Sequence, residues 1–137
     1  MTTLDSTRPR DDVTTEARVT SVDQLASIRV GLRAEGRLAG LGAGRIHDLC
    51  LAVTEVLTNA LVHGAEPIHL ATSADRERIL CRISDNGSAE LDAKVGSEPP
   101  PISSIGGRGL WLVRQVVDSL DIDRADGRTV VTFSFAL

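Results

Sequence analysis

The sequence predicts an α+β fold, a two-layer sandwich of a mostly antiparallel sheet with helices on one face. Three observations predict it. Strand-type segments come in adjacent pairs, 68–73 with 78–84 and 119–124 with 129–135, each pair joined by a polar turn, which is how hairpins read. Helical periodicity is confined to 21–38, 45–63 and a stretch starting near Arg108, each with a single apolar stripe to bury. At 137 residues the chain is long enough for one core and too short for two substantial ones. Hairpins grouped beside one-sided helices give a layered α+β arrangement rather than a doubly wound parallel sheet.

Residues 1–12 are polar and mixed in charge and are expected to be disordered. A short strand follows over 13–22, and Ser21 and Asp23 are helix-capping candidates. In the first helix, Leu25, Ile28, Leu32 and Leu38 recur at three or four residues, so Arg29, Arg33, Glu35 and Arg37 are expected to face water or a partner. Gly40, Gly42 and Gly44 end it. The second helix has the clearest pattern: Ile46, Leu49, Val53, Val56, Leu57, Ala60 and Leu61 keep helical spacing, and Gly64 is its stop. Beyond the first hairpin, residues 86–106 lack periodicity and carry Pro99, Pro100 and Pro101, which predicts a long lid-like loop over about 88–105. Leu110, Leu112, Val113, Val116 and Val117 then mark the third helix, ahead of the second hairpin.

Composition narrows the function classes. A net charge of -4 and only three aromatic residues, Trp111, Phe133 and Phe135, argue against a nucleic-acid surface. Apolar runs are broken by charge well before about 18 residues, so no membrane span is expected. Cys50 and Cys81 each sit in an apolar run, as buried reduced thiols do, and with no export signal the expected compartment is the cytoplasm. The single lysine, Lys94, does not follow a glycine loop, so a phosphate site here works through backbone amides, arginine or a metal.

Three features carry candidate chemistry. Glu55, Asn59 and His63 are four apart, and each step of four rotates by only about 40°, so they share one stripe of the second helix. Such a stripe is either the wall of a cleft or the solvated side of an amphipathic helix. In a cleft, the carboxylate accepts a proton and the amide oxygen suits Mg²⁺. Asp85-Asn86-Gly87 ends an apolar strand. It is either a common turn or a place where a carboxylate takes the exocyclic amine of a base while Gly87 lets the backbone approach a flat ligand. Gly106-Gly107-Arg108-Gly109-Leu110 opens a helix, where glycines serve either sterics or the exposure of amides to phosphate at the positive end of the dipole. The three together weigh more than each alone.

In this order, Glu55-x-x-x-Asn59, Asp85-x-Gly87 and Gly107-x-Gly109-Leu110 resemble the N box and the two glycine boxes of the ATPase superfamily shared by gyrase, heat-shock chaperone, histidine kinase and mismatch-repair proteins, over about residues 13–137. The run from Glu55 to Gly64 and the Gly-Gly-Arg-Gly-Leu helix start are most similar to the anti-sigma-factor serine/threonine protein kinases. The resemblance implies a histidine-kinase-like ATPase fold that binds ATP with Mg²⁺. It implies Glu55 as general base, Asn59 as Mg²⁺ ligand, Asp85 on the adenine amino group and Gly87 shaping the base pocket. Gly107, Arg108 and Gly109, followed by Leu110, would hold phosphates beneath the lid, and His63 occupies a position often filled by histidine. Implied partners are a sigma factor and an anti-anti-sigma antagonist that is phosphorylated, with homodimers formed through the sheet edge and first helix. One departure is Ala89, where the first glycine box usually has a second glycine. The alternative is a nucleotide-binding partner switch that regulates by sequestration alone.

Overall fold

The structure, a computed structural model, describes residues 13–87 and 108–137. The expected disordered segment 1–12, the lid, Ala89, Gly106 and Gly107 lie outside the described residues. Within them the order is β1 (Val13–Val19), α1 (Leu25–Ala39), α2 (Ala43–His63), β2 (Ile68–Ala74), β3 (Arg78–Asp85), α3 (Arg108–Val116), β4 (Ser119–Ala125) and β5 (Arg128–Ala136). The five strands form one sheet in the order β1-β2-β3-β5-β4, with every neighbouring pair antiparallel. The predicted layered α+β fold is the observed one.

The core follows from alternation on the strands and periodicity on the helices. On β3, Ile79, Cys81, Ile83 and Asp85 are buried, while Leu80, Arg82 and Ser84 between them are half-buried or exposed. Against that inner face α2 lays Leu49, Val53, Val56, Leu57 and Ala60, joined by Phe133 and Phe135 of β5 in edge-to-face contact. Both cysteines are free and buried, as expected. Burial pushes the Cys81 thiol far above its ordinary value, with Glu35 nearby adding to the shift, and raises that of Cys50 as well.

Several local expectations are corrected. The first strand stops at Val19, three residues early, because Ser21 and Gln24 form a reciprocal capping box around a single 3-10 turn, Val22–Gln24, that feeds α1. Glu35 does not face water. It is buried and accepts a 2.7 Å hydrogen bond from the Thr72 hydroxyl on β2, while its Oε1 has no hydrogen-bond partner among the described residues. Leu38, counted in the buried stripe, is 88% exposed, and the buried apolar side chain at this end is Leu41, beyond the Gly40 cap. Gly40 caps α1 at φ 94°, the left-handed position glycine favours.

At the far end of α2, Arg45 acts as a staple. Its guanidinium donates to the Val116 carbonyl at the end of α3 (2.7 Å), pairs with Asp118 (2.5 Å) and lies 4.8 Å over the Phe135 ring. Asp118 in turn accepts from the Ala136 amide, so α2, α3 and β5 are fixed together at that end.

Candidate nucleotide site

The site is built along the second half of α2, where Glu55, Asn59 and Gly64 follow one another. Nine residues of helix span about 14 Å, so its two ends are well separated.

At the Gly64 end, Asp85 is the last residue of β3 and falls on the helix-facing side of the strand. That alternation is why a carboxylate is only 8% exposed here. Its Oδ1 accepts the Gly87 amide at 2.6 Å, and the Asn86 amide donates to the Ala65 carbonyl at 2.8 Å, which draws the strand end against the end of α2. The approach leaves no room for side chains. A Cβ on Gly64 would sit 2.6 Å from the Asp85 carboxyl, and one on Gly87 would sit 2.9 Å from the Gly64 Cα. Buried Thr129 on β5 is the cross-strand partner of Asp85. This end of the site therefore holds a carboxylate beside bare backbone, the surroundings that suit a flat ligand with an amino group.

At the other end, α3 starts at Arg108 with its N-terminus over α2. A Cβ on Gly109 would lie 2.7 Å from Glu55 Oε2 and 3.5 Å from Asn59 Nδ2. Backbone amides at the positive end of a nine-residue helix thus stand beside a half-buried carboxylate and a half-buried amide. Leu110 is buried and anchors this start in the core.

The structure brings together Glu55, Asn59 and Gly109 at one end, and Asp85 and Gly87 at the other. Arg108 supplies the first residue of α3, whereas Gly107 lies outside the described residues. His63 is not brought in: it is exposed on the last residue of α2 and makes no hydrogen bond or ion pair among the described residues. Two site residues escaped sequence reasoning. Gly64 was legible only as a helix stop, and its extended backbone (φ -91°) shows that contact with Asp85, not a left-handed turn, demands glycine. Thr129 was legible only as a strand residue, and its place emerges from the β3–β5 register.

Asn59 and Glu55 offer hard oxygen donors, too few for an all-protein cage. They fit Mg²⁺, which keeps waters and phosphate oxygens in its shell. No group of three or more His, Cys, Asp or Glu able to hold a metal occurs among the described residues.

Residues 19–135 match the family model described as a histidine kinase-like ATPase domain. The chain belongs to that family. This ATPase-type domain is 32% identical over 96 residues to the serine/threonine-protein kinase BtrW of Bordetella bronchiseptica, covering 63% of the chain and 67% of the relative. It is 28% identical over 116 residues to the serine-protein kinase RsbW of Listeria innocua, covering 75% of the chain and 74% of the relative. Among solved structures it is similar to a Mycobacterium tuberculosis protein with RsbU and RsbW domains. There the TM-score is 0.62 at 20% identity, over 89% of this chain and 32% of that one. The SiaB–SiaC complex of Pseudomonas aeruginosa matches with TM-score 0.62 at 12% identity, over 93% of this chain and 92% of that one. Both structures bear out the expected ATPase fold. No described helix of the domain is long and apolar enough to cross a membrane.

Proposed function

We propose that this domain binds ATP with Mg²⁺ and transfers its γ-phosphoryl group to a serine or threonine of an antagonist protein, while also sequestering a sigma factor. The observation that carries the reading is the contact of Gly109 with Glu55 and Asn59 at one end of α2 while Gly64 and Gly87 close on Asp85 at the other. An elongated ligand with an amino-bearing base and an anionic tail is complementary to that pair of ends. The similarity to serine and serine/threonine kinases supports the choice of acceptor.

In this reading Asp85 accepts from the adenine amino group and Gly87 and Gly64 keep the base in contact with the backbone. The amides at the start of α3, with Arg108, hold phosphate oxygens beneath the lid, followed by Leu110, which anchors the helix. The resemblance adds Gly107 to the same phosphate-holding group. Glu55 takes the proton of the attacking hydroxyl. Mg²⁺, held through Asn59, would offset the phosphate charge. Phosphoryl transfer asks little of a protein beyond such positioning and charge stabilisation. The resemblance further supports a homodimer and a cytoplasmic setting.

Ala89, in place of a second glycine, favours a second reading, a partner switch that binds nucleotide without transferring phosphate. Phosphotransfer from radiolabelled ATP to a serine-containing antagonist separates the two. Glu55→Gln is expected to abolish transfer with nucleotide binding retained, and Asp85→Asn to abolish binding itself. A Glu55→Gln protein with undiminished transfer removes Glu55 as base. An unmodified protein that binds ATP and never transfers it establishes the second reading.

A further inference from the structure

The helices bury one face of the sheet, and the opposite face is open. On β3 the residues that alternate with the core, Arg78, Leu80, Arg82 and Ser84, are all half-buried or exposed, as are the corresponding positions of β2. An open antiparallel face ordinarily mixes charge signs, because opposite charges on neighbouring strands stabilise one another. Here the three central strands, β2, β3 and β5, place no carboxylate on that face, although the chain carries a net charge of -4. The carboxylates that share it, Glu16 on β1 and Asp121 and Asp123 on β4, stand on the two edge strands.

The cations lie between those edges. Arg82 has Ala71 across from it on one side and Thr132 on the other, and neither Arg82 nor Arg128 has an ion pair among the described residues. Arg78 sits farther off, by the hairpin turn where Asp75 feels its charge. Asp123 is diagonal to Arg128 but accepts from the Arg124 amide, while Arg128 turns to β3. There its Nη2 donates to Ser84 Oγ at 2.8 Å, which leaves the serine hydroxyl proton free to donate. The register sets His69 directly across from Ser84, about 5 Å away at Cα, and Arg82 lies two residues back along β3, about 7 Å away. Two guanidiniums and a hydroxyl thus surround one spot, with an imidazole beside them, and the carboxylates form a rim around it.

We propose that this open face is a docking surface for an acidic, extended segment of a partner protein, whose carboxylates are received by Arg82, Arg128 and the Ser84 hydroxyl. Charge complementarity carries the choice of partner, because the centre of the face offers donors and cations to whatever covers it. An extended ligand fits better than a helix. Apolar surface here is limited to half-buried groups such as Leu80 and Val130, so a helix has little to bury. An extended segment running along β3 repeats its side chains on one side about every 7 Å, the spacing of the Arg82 and Ser84 positions. The face is separate from the sheet edge and α1, the surfaces given above to a homodimer. The proposal goes beyond the phosphotransfer reading and does not depend on it.

Two labelled peptides, one alternating glutamate with threonine and the other lysine with threonine, are titrated by fluorescence anisotropy against the whole chain without nucleotide. The acidic peptide is expected to bind and the basic one not. Arg82→Glu with Arg128→Glu is expected to weaken the acidic peptide roughly tenfold or more. Arg33→Glu with Arg37→Glu makes the same change in net charge on α1 and is expected to leave that affinity within about twofold. Should the first pair fail to fold in thermal melts, Arg82→Glu alone carries the test, since Arg82 is exposed, and a loss of about threefold or more is expected. Binding of neither peptide at millimolar concentration, equal binding of both, or equal loss in the two double variants overturns the proposal. So does tighter binding of a helical glutamate peptide, a single-stranded oligonucleotide or anionic vesicles. Because nucleotide is absent, failure here is distinct from failure of the phosphotransfer reading.

Discussion

Replacing Gly64 by Ala tests whether the close packing of α2 against Asp85 is as tight as the distances say. The backbone at Gly64, φ -91° and ψ -160°, is open to any residue, so chain entropy alone favours alanine by about 0.4–1 kcal/mol. Space opposes it. The new Cβ would sit 2.6 Å from the Asp85 Cγ and Oδ1 and 2.7 Å from the Ala60 carbonyl oxygen, roughly 1 Å inside ordinary carbon contact. Neither neighbour retreats freely: the Ala60 carbonyl accepts the Gly64 amide at 2.9 Å, and Asp85 is buried and accepts the Gly87 amide. Overpacking of this kind costs about 1–3 kcal/mol, which outweighs the entropic gain. The expected net loss of about 1–2 kcal/mol lowers the melting temperature by about 3–12 °C for a chain of this size. Circular-dichroism melts measure it, with Gly44→Ala as the control, since nothing lies within 4 Å of a Cβ there. The control is expected to match or exceed the unmodified chain. Nucleotide affinity is expected to fall with the displaced Asp85. A Gly64→Ala protein that melts no lower than the unmodified chain and binds ATP unchanged would refute the packing argument and with it the base pocket.

Gly109→Ala is expected to behave differently, because its new Cβ meets the end of a flexible side chain, Glu55 Oε2 at 2.7 Å, and not backbone. Stability is expected to stay within about 1 kcal/mol while phosphotransfer collapses with the displaced carboxylate, read from paired melts and transfer assays. Thr72→Val removes the hydroxyl that donates to the buried Glu35 carboxylate and is expected to cost about 1–3 kcal/mol in urea unfolding, whereas Thr72→Ser costs less. For Cys81 the sign is fixed by burial. Its folded pKa is raised above the ordinary 9.0, so its contribution to stability is full below about that value and is lost as pH rises, because the unfolded thiol ionises first. Urea midpoints from neutral to alkaline pH are expected to decline, and Cys81→Ala to start lower and decline less steeply.

Sequence periodicity was enough to find the sheet, the three helices and the order of the site segments, because each apolar stripe had one face to bury and each hairpin a polar turn. What it missed were contacts between elements. Glu35 looked solvated because its helical position borders the buried stripe, and only the approach of Thr72 from β2 makes room for it inside. Leu38 looked buried because its spacing is right, yet α1 runs past the edge of the core before Gly40 turns the chain. His63 shares the Glu55 and Asn59 spacing, but the slow drift of a four-residue series carries it out of the site to an exposed position. Gly64 could not be told from an ordinary helix stop until β3 was set against it.

The two ends of the site are held by different means. At the Asp85 end the support is local, through the Asn86 amide on the Ala65 carbonyl, the Gly87 amide on the Asp85 carboxylate and the absence of side chains at Gly64 and Gly87. At the Gly109 end the support comes from buried Leu110 beside it and from the far end of the helix. α3 is only nine residues long, and a second hold lies at its other terminus, where Arg45 grips the Val116 carbonyl and Asp118. The same helix, α2, carries Arg45 near its start and Glu55 and Asn59 farther along, so one rigid rod sets both the anchor of α3 and the groups its N-terminus must meet. Loosening the staple would let the start of α3 shift relative to Glu55 without touching Asp85. The two ends are thus held through separate contacts, and a change at the staple reaches the phosphate end alone.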